Sequence, residues 1–150
     1  MARVEAKKGK IIGIDYGTKK VGVAISDEDQ GFAFPSRVLF NDGNVVEDVK
    51  ALAEREGVVG FVVGDSRNFA GDENLVMYDI RTFAEMLERK TELPVYFEEE
   101  FMTSAQARRV PQASDELRSR KEKNSAPVDA SAAALILQSY LDKQNNNLSR

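Results

Sequence analysis

The apolar run Val58–Val63 is the feature that most limits how this chain of 150 residues can fold. Apart from one glycine the run is apolar, without the polar alternation of a half-exposed strand. Such a run is typical of a strand that helices cover on both faces of a sheet. The flanks agree: a helix is predicted from Val45 to Arg55, capped by Asn44 and ended by Gly57, and another from Asp72 to Lys90. We therefore expect an α/β protein.

The other elements define the kind of sheet. Ile11–Asp15 and Val21–Ser26 are short β-like runs joined by a tight turn, and Phe32–Phe40 is a candidate third strand. Pro94–Phe97 is a short strand, and Pro127–Leu141 is a helix with proline in its first turn. Hairpins make the first three strands antiparallel, whereas strand–helix–strand units make the later ones parallel by right-handed crossover. The prediction is a mixed five-stranded sheet with helices on both faces.

Composition excludes several kinds of chemistry. The chain has no cysteine and no histidine, so it has neither a thiolate nor an imidazole for catalysis or metal binding. Any metal must be held by oxygen atoms, which suit magnesium, manganese or calcium. The net charge is −4, but residues 1–20 and 101–125 each carry six Lys/Arg, so local basic patches can bind an anionic partner.

The chain is expected to be one domain. Residues 10–143 form it, after a flexible leader over residues 1–9 and before a polar tail over residues 144–150, with a mobile basic loop at about 111–126. No apolar run approaches the roughly 20 residues of a membrane span, and Met1–Lys10 lacks a signal-peptide apolar core. We expect a cytoplasmic protein that does not contact a membrane.

Three carboxylates stand at element ends. Asp15 closes the first strand, Glu100 follows the last short strand, and Asp129 lies in the first turn of the last helix. Each has an ordinary structural explanation as well: a turn residue, a solvated surface glutamate and a helix N-terminal charge, respectively. Ligands of α/β sheets tend to bind beyond the carboxyl ends of the strands. Asp129 also shares a face with apolar residues, and a metal compensates the cost of burying a carboxylate.

Four sequence blocks then resemble a known family. They read GIDYGTKKVGVAISD from Gly13, VVGDSRNFAGDEN from Val62, EEEFMTSAQA from Glu98 and VDASAAALILQSYLD from Val128. Together they resemble the YqgF family, described as Holliday-junction resolvases or nucleases that process the precursor of 16S ribosomal RNA. The resemblance runs from about Lys10 to Asp142, and the first and last blocks match closely.

The resemblance implies a ribonuclease-H-like fold and a metal-dependent endonuclease. Asp15, Glu100 and Asp129 would be its catalytic residues and its ligands for Mg²⁺ or Mn²⁺. Two departures bear on substrate preference and activity. Phe101 stands where the family usually has arginine, and Asp65-Ser66 stands where it usually has Leu-Pro. Asp65 is expected to add a carboxylate near the site.

Basic and hydroxyl side chains are candidates for nucleic-acid contact. Phosphate contacts of this kind position a substrate without reading its sequence, and such binding weakens with salt. Lys19 and Lys20 are equally explained as an exposed hairpin tip, and Thr103 as a helix cap. The full candidate set is Lys19, Lys20, Thr103, Arg108, Arg109, Arg118, Arg120, Lys121 and Lys123.

Two other functions stay open beside processing of the ribosomal RNA precursor. One is resolution of a four-way DNA junction, which needs two active sites and therefore a stable dimer; for RNA processing a monomer or weak homodimer suffices. The other is a non-catalytic nucleic-acid-binding protein of ribosome assembly, which the Phe101 and Asp65-Ser66 departures favour and the intact acidic trio opposes.

Overall fold

The computed structural model of the protein describes residues 8–65, 75–99 and 128–148. Within these ranges five strands form one mixed sheet, and three helices pack on its two faces. The strands are β1 Ile11–Tyr16, β2 Lys20–Ser26, β3 Ala33–Phe40, β4 Gly60–Asp65 and β5 Val95–Glu99. The helices are α1 Val45–Glu56, α2 Leu75–Thr91 and α3 Val128–Leu148. None of the described helices is long and apolar enough to cross a membrane.

The sheet has the strand order β3-β2-β1-β4-β5. β1, β2 and β3 pair antiparallel, whereas β4 is parallel to both β1 and β5. This confirms the predicted mixed sheet with three antiparallel strands at its start. The apolar run that began the sequence analysis supplies β4, the strand next to the middle, and every residue of that strand is buried.

The two faces of the sheet carry separate apolar cores. Ile12, Ile14 and Phe61, fully buried, belong to the core that α1 and α2 cover. The alternate residues Ile11 and Val62 belong to the core that α3 covers. Because side chains alternate across a strand, this division assigns every strand residue to the α1/α2 face or to the α3 face.

Element ends differ from the sequence predictions in two places. Gly57 ends α1 in the left-handed conformation as predicted, at φ 68°. The predicted cap by the Asn44 side chain is wrong: it makes no capping hydrogen bond, and Asp42 Oδ1 instead accepts the N–H of Asn44 at 2.9 Å. Helix α3 also continues past its predicted end at Leu141 to Leu148, and Asn145 in this extension donates from Nδ2 to the Gln30 carbonyl at 3.2 Å.

A single carboxylate organises the turn between β2 and β3. Asp27 Oδ1 accepts the N–H of Gly31 at 2.8 Å and the N–H of Phe32 at 3.0 Å. The bonds from Phe32 and Gly31 lower the pKa of Asp27 below its ordinary value of 3.8. The folded protein therefore favours the charged carboxylate, which contributes stability above the ordinary pKa and loses it as the pH falls through the folded pKa.

We expect Asp27→Ala to destabilise the protein near neutral pH and to matter less in acid. The difference in free energy of unfolding from the wild type should be largest at pH 6 and should shrink as the pH falls below 3.8. Urea denaturation at pH 6, 4.5 and 3 measures it. Asp29→Ala, an exposed change in the same turn, is the control and should show no such trend. A difference independent of pH would contradict the role given to the Asp27 charge.

Candidate functional site

Asp15 lies near the carboxyl end of β1, on the face that α3 covers. It is two residues beyond Gly13, and a Cβ placed on Gly13 would approach the Leu137 Cβ of α3 to 2.6 Å. Residues two apart share a face, so the Asp15 side chain is directed to the same side of the sheet. Asp15 is partly buried, and its partner across β2 is Gly22.

Helix α3 runs antiparallel to β1. Near the helix end, Asn145 bonds the Gln30 carbonyl, and Gln30 Nε2 donates to the Gly9 carbonyl just before β1 at 2.8 Å. Further along β1, the same Gly13 Cβ would lie 3.0 Å from the Ala133 carbonyl oxygen. Moving forward along β1 therefore corresponds to moving backward along α3, toward its first turn.

This packing brings Asp15 and the first turn of α3 to the same end of the sheet. Asp15 is two strand residues, about 7 Å, beyond Gly13. Asp129 is four helical residues, about 6 Å, before Ala133 in the same direction. Measured instead from Leu137, the nearer contact of Gly13, Asp129 is eight helical residues, about 12 Å, back along α3. The first turn of α3 therefore lies at the same end of the sheet as Asp15, within about 5 Å of its level along β1. The Asp129 side chain lies outside the described residues.

The third predicted acid, Glu100, lies outside the described residues, but the strand leading to it is fixed. Glu98 is 5% exposed, and its Oε2 accepts from Ser139 Oγ and pairs with Lys143 Nζ, both at 2.7 Å. Both partners belong to α3, so Glu98 faces the same side of the sheet as Asp15. In the strand register Glu98 lies opposite Gly64. Gly64 follows Val63, which is the partner of Ile14, so Gly64 lies next to Asp15.

Asp15 and Glu98 therefore stand in one row across the sheet. The residues directly opposite Asp15 in this row are glycines, Gly22 on β2 and Gly64 on β4. The sequence analysis considered Glu100 alone among the glutamates at 98–100 and missed the role of Glu98. The strand period of two, applied to that run, separates Glu98 from Glu99 and would have found it.

Two tyrosines join β5 to α3 next to this row. The rings of Tyr96 and Tyr140 stack with centroids 5.6 Å apart. Burial raises the pKa of Tyr140 to about 12, and the neighbouring Tyr96 and Glu98 add to the effect. Tyr140 therefore stays neutral at physiological pH. With the Glu98 contacts, this stack fixes the strand that precedes Glu100 against the helix that carries Asp129.

Asp65 does not add to the carboxylates on this face. It ends β4, where Phe61 and Val63 point into the α1/α2 core, and the alternation places Asp65 on that side too. The expectation that it lies near Asp15 is therefore wrong. The sequence analysis judged Asp65 by its place in the second block and did not apply the strand alternation to it.

Lys19 and Lys20 are exposed at the β1–β2 turn, close to the end of β1. The turn is tight: a Cβ on Gly17 would lie 2.6 Å from the Lys20 carbonyl oxygen. The Asn41 side chain donates to the Gly17 carbonyl at 2.7 Å and ties the turn to the end of β3. The remaining candidate contacts lie outside the described residues: Thr103, Arg108, Arg109, Arg118, Arg120, Lys121 and Lys123, with Phe101 and Ser66.

No group of three carboxylates able to hold a metal is complete within residues 8–65, 75–99 and 128–148. Two of the three predicted members, Glu100 and the Asp129 side chain, fall outside what is described there. A cavity of about 320 Å³ between α1 and α2, lined by Tyr16, Tyr78 and Met86 among others, lies on the opposite face from Asp15. The site therefore stays a prediction, built on the α3 face.

The strand order and the helices on both faces define the class: a ribonuclease-H-like fold of the kind found in Holliday-junction resolvases. The chain is similar to Thermus thermophilus RuvC, solved in complex with a Holliday junction substrate, with a TM-score of 0.59 and 17% identity over 91% of this chain and 96% of RuvC. It is also similar to the fowlpox virus Holliday junction resolvase, with a TM-score of 0.53 and 16% identity over 89% and 99% of the two chains.

Sequence comparison gives the family. Residues 9–143 match the family described as RuvX, Holliday junction resolvase, and the chain belongs to it. A relative from Nitratidesulfovibrio vulgaris (strain Miyazaki F), named "Putative pre-16S rRNA nuclease", is 40% identical over 89% of this chain and 93% of the relative. A relative of the same name from Maridesulfovibrio salexigens is 35% identical over 88% and 97% of the two chains. The resemblance found in the sequence is confirmed.

Proposed function

We propose that this protein is a metal-dependent endonuclease that processes the precursor of 16S ribosomal RNA. The observation that supports the proposal is the close approach of α3 to Gly13, because it directs the first turn of α3, which contains Asp129, toward the end of the sheet where Asp15 lies. The names of the relatives supply the substrate class. We place this activity in the cytoplasm, where ribosomal RNA precursors are processed.

Asp15, Glu100 and Asp129 would hold the metal. The donor set fits Mg²⁺ or Mn²⁺, because a chain without histidine and cysteine offers oxygen ligands, which these hard cations prefer. Asp15 stands between two glycines, and Glu98, two residues before Glu100, already faces α3. If the extended chain continues for two residues, Glu100 faces the same side.

Different residues of the chain have different roles around the phosphodiester. A divalent cation bound here supplies Lewis-acid chemistry that stabilises charge on the attacking and leaving oxygens. The carboxylates hold and orient this group, and the Glu98 contacts with Ser139 and Lys143 keep β5 fixed against α3. Lys19 and Lys20 attract the nucleic-acid backbone toward the end of β1.

Cleavage of defined substrates by the wild-type protein tests the proposal. Labelled fragments of the 16S ribosomal RNA precursor and four-way DNA junctions are incubated with Mg²⁺, Mn²⁺ or EDTA. We expect metal-dependent cutting, faster on the RNA. Preferential, symmetric cutting of the junction would favour a resolvase. Binding of RNA without cutting in any metal would contradict the enzyme and favour a non-catalytic protein of ribosome assembly.

The lysines of the turn should account for part of the salt dependence of RNA binding. Each phosphate contact on a single strand contributes a slope of about −0.7 in log affinity against log salt. The double variant Lys19→Ala/Lys20→Ala should therefore flatten the slope by about 1.4. Fluorescence anisotropy at several salt concentrations without metal measures it.

The matched control is Lys50→Ala, which removes a partly exposed lysine paired with Glu54 on α1, on the other face of the sheet. Its slope should equal that of the wild type. An unchanged slope for the double variant would remove Lys19 and Lys20 from the binding surface.

A further inference from the structure

Phe40 is an exposed aromatic residue beside the predicted site. It is not part of either apolar core. Its side chain is 74% exposed, the largest fraction among the large hydrophobic residues in the described parts of the chain. It ends β3, where its partner across the sheet is Lys20. Lys20 is two residues before Gly22, and Gly22 is the partner of Asp15. Because paired residues and alternate residues share a face, Phe40, Lys20 and Asp15 lie on one face.

The ring is near the predicted reaction centre and firmly anchored. Phe40 is two strands across and two residues along from Asp15, a separation of about 12 Å between Cα atoms. The following residue holds this corner: Asn41 N–H donates to the Lys19 carbonyl at 2.9 Å, and its side chain donates to the Gly17 carbonyl at 2.7 Å. Because this corner is already held by hydrogen bonds, an aromatic ring on it can contact a ligand without the entropy cost of ordering a loop.

We propose that Phe40 is a stacking platform for an unpaired base of the nucleic-acid strand that reaches Asp15. Aromatic rings beside basic groups are the features by which proteins hold single strands: the bases stack on the ring and the cations contact the phosphates. Phe40 has Lys20 as its strand partner and Lys19 next to it, which supplies the complementary charge. The inference rests on the proposed function, and it adds a preference for single-stranded RNA flanking the cut.

The chain supplies a matched control in the same strand. Phe34 is also exposed, at 53%, but its partner is Ile25, which packs against the α1/α2 core. Phe34 therefore presents the same chemistry on the opposite face of the sheet. Removing either ring deletes the same side chain from an exposed position of β3, so a general effect on the strand would appear in both variants.

The experiment measures binding rather than cleavage. A fluorescent 12-nucleotide adenine RNA and a 12-base-pair RNA duplex are titrated with wild type, Phe40→Ala, Phe40→Trp and Phe34→Ala in EDTA. We expect Phe40→Ala to weaken binding of the single strand by at least about fivefold, since a stacked base contributes that much or more. Phe40→Trp should restore binding, whereas Phe34→Ala and all titrations of the duplex should match the wild type.

The outcomes separate this inference from the nuclease itself. Wild-type affinity in Phe40→Ala, or an equal loss in Phe34→Ala, overturns the platform even if the wild type cuts RNA. A wild type that fails to bind the single strand overturns it as well. Selective loss in Phe40→Ala supports the platform even where no protein cuts RNA, a result that would contradict the proposed nuclease alone.

Discussion

Asp15→Asn is expected to lower the rate of metal-dependent cleavage by more than about 100-fold, with the fold unchanged. Replacing a residue that only orients a metal ligand typically costs 10–100-fold, so loss of a ligand charge should cost more. Asparagine has nearly the same shape as aspartate, and the side chain is partly buried between glycines, so the strand should tolerate it. Single-turnover cleavage of the RNA precursor at saturating Mn²⁺ measures the rate, and thermal unfolding checks the fold.

Asp65→Asn is the matched control for this variant. Asp65 is an aspartate at the end of the parallel strand next to β1, but it lies on the α1/α2 face. A folded Asp65→Asn protein should cleave at a rate near that of the wild type. Equal rates for Asp15→Asn and the wild type would contradict the site, and an equal loss in both variants would contradict its assignment to the α3 face.

Gly13→Ala is expected to destabilise the protein and to impair cleavage together. The added Cβ would lie 2.6 Å from Leu137 Cβ and 3.0 Å from the Ala133 carbonyl oxygen, so α3 must move away from the sheet. Overpacking of this kind costs about 1–3 kcal/mol. At 2–4 °C per kcal/mol for a chain of this size, the melting temperature should fall by roughly 2–12 °C.

The effect on cleavage follows from the same displacement. Moving α3 moves the turn that contains Asp129 relative to Asp15, and a misplacement of about 1 Å can reduce a rate by up to about 100-fold. Cleavage is measured well below the melting temperature of the variant, so that unfolding does not contribute. Gly43→Ala is the control, because a Cβ there meets nothing within 4 Å. Wild-type stability in Gly13→Ala would contradict the close packing of α3.

The mixed character of the sheet, with its first three strands antiparallel and the later ones parallel, could be predicted from the sequence, because hairpin turns and strand–helix–strand units are local patterns. The apolar run at Val58–Val63 indicates a strand buried on both faces, and Gly57 ends the helix before it through its own backbone preference. The sequence analysis ended α3 at Leu141, and the added residues include Asn145, whose contact with the Gln30 carbonyl is tertiary and is not visible in any local pattern. The capping prediction for Asn44 was wrong because its side chain makes no capping bond, and Asp42 accepts the Asn44 N–H at the start of α1.

The site could be predicted as a set of residues but not as an arrangement. Asp15 and Asp129 were identified by motif, and the approach of α3 to Gly13, which directs the first turn of α3 toward the end of the sheet that carries Asp15, is a packing property that no local pattern contains. Asp65 was placed near the site by its position in the second block, whereas its face follows from the alternation along β4, in which Phe61 and Val63 point into the α1/α2 core. Glu98 and Phe40 were missed because their roles appear only when strand partners are known.

The most direct test of the central claim is the binding of Mn²⁺ itself. Isothermal titration calorimetry compares the wild type with Asp15→Asn, Glu100→Gln and Asp129→Asn, with Asp65→Asn as the control. The account predicts that the wild type binds Mn²⁺, that each of the three variants binds at least about tenfold more weakly, and that the control binds as the wild type does. Equal Mn²⁺ affinity in all five proteins would show that these carboxylates do not form a metal site.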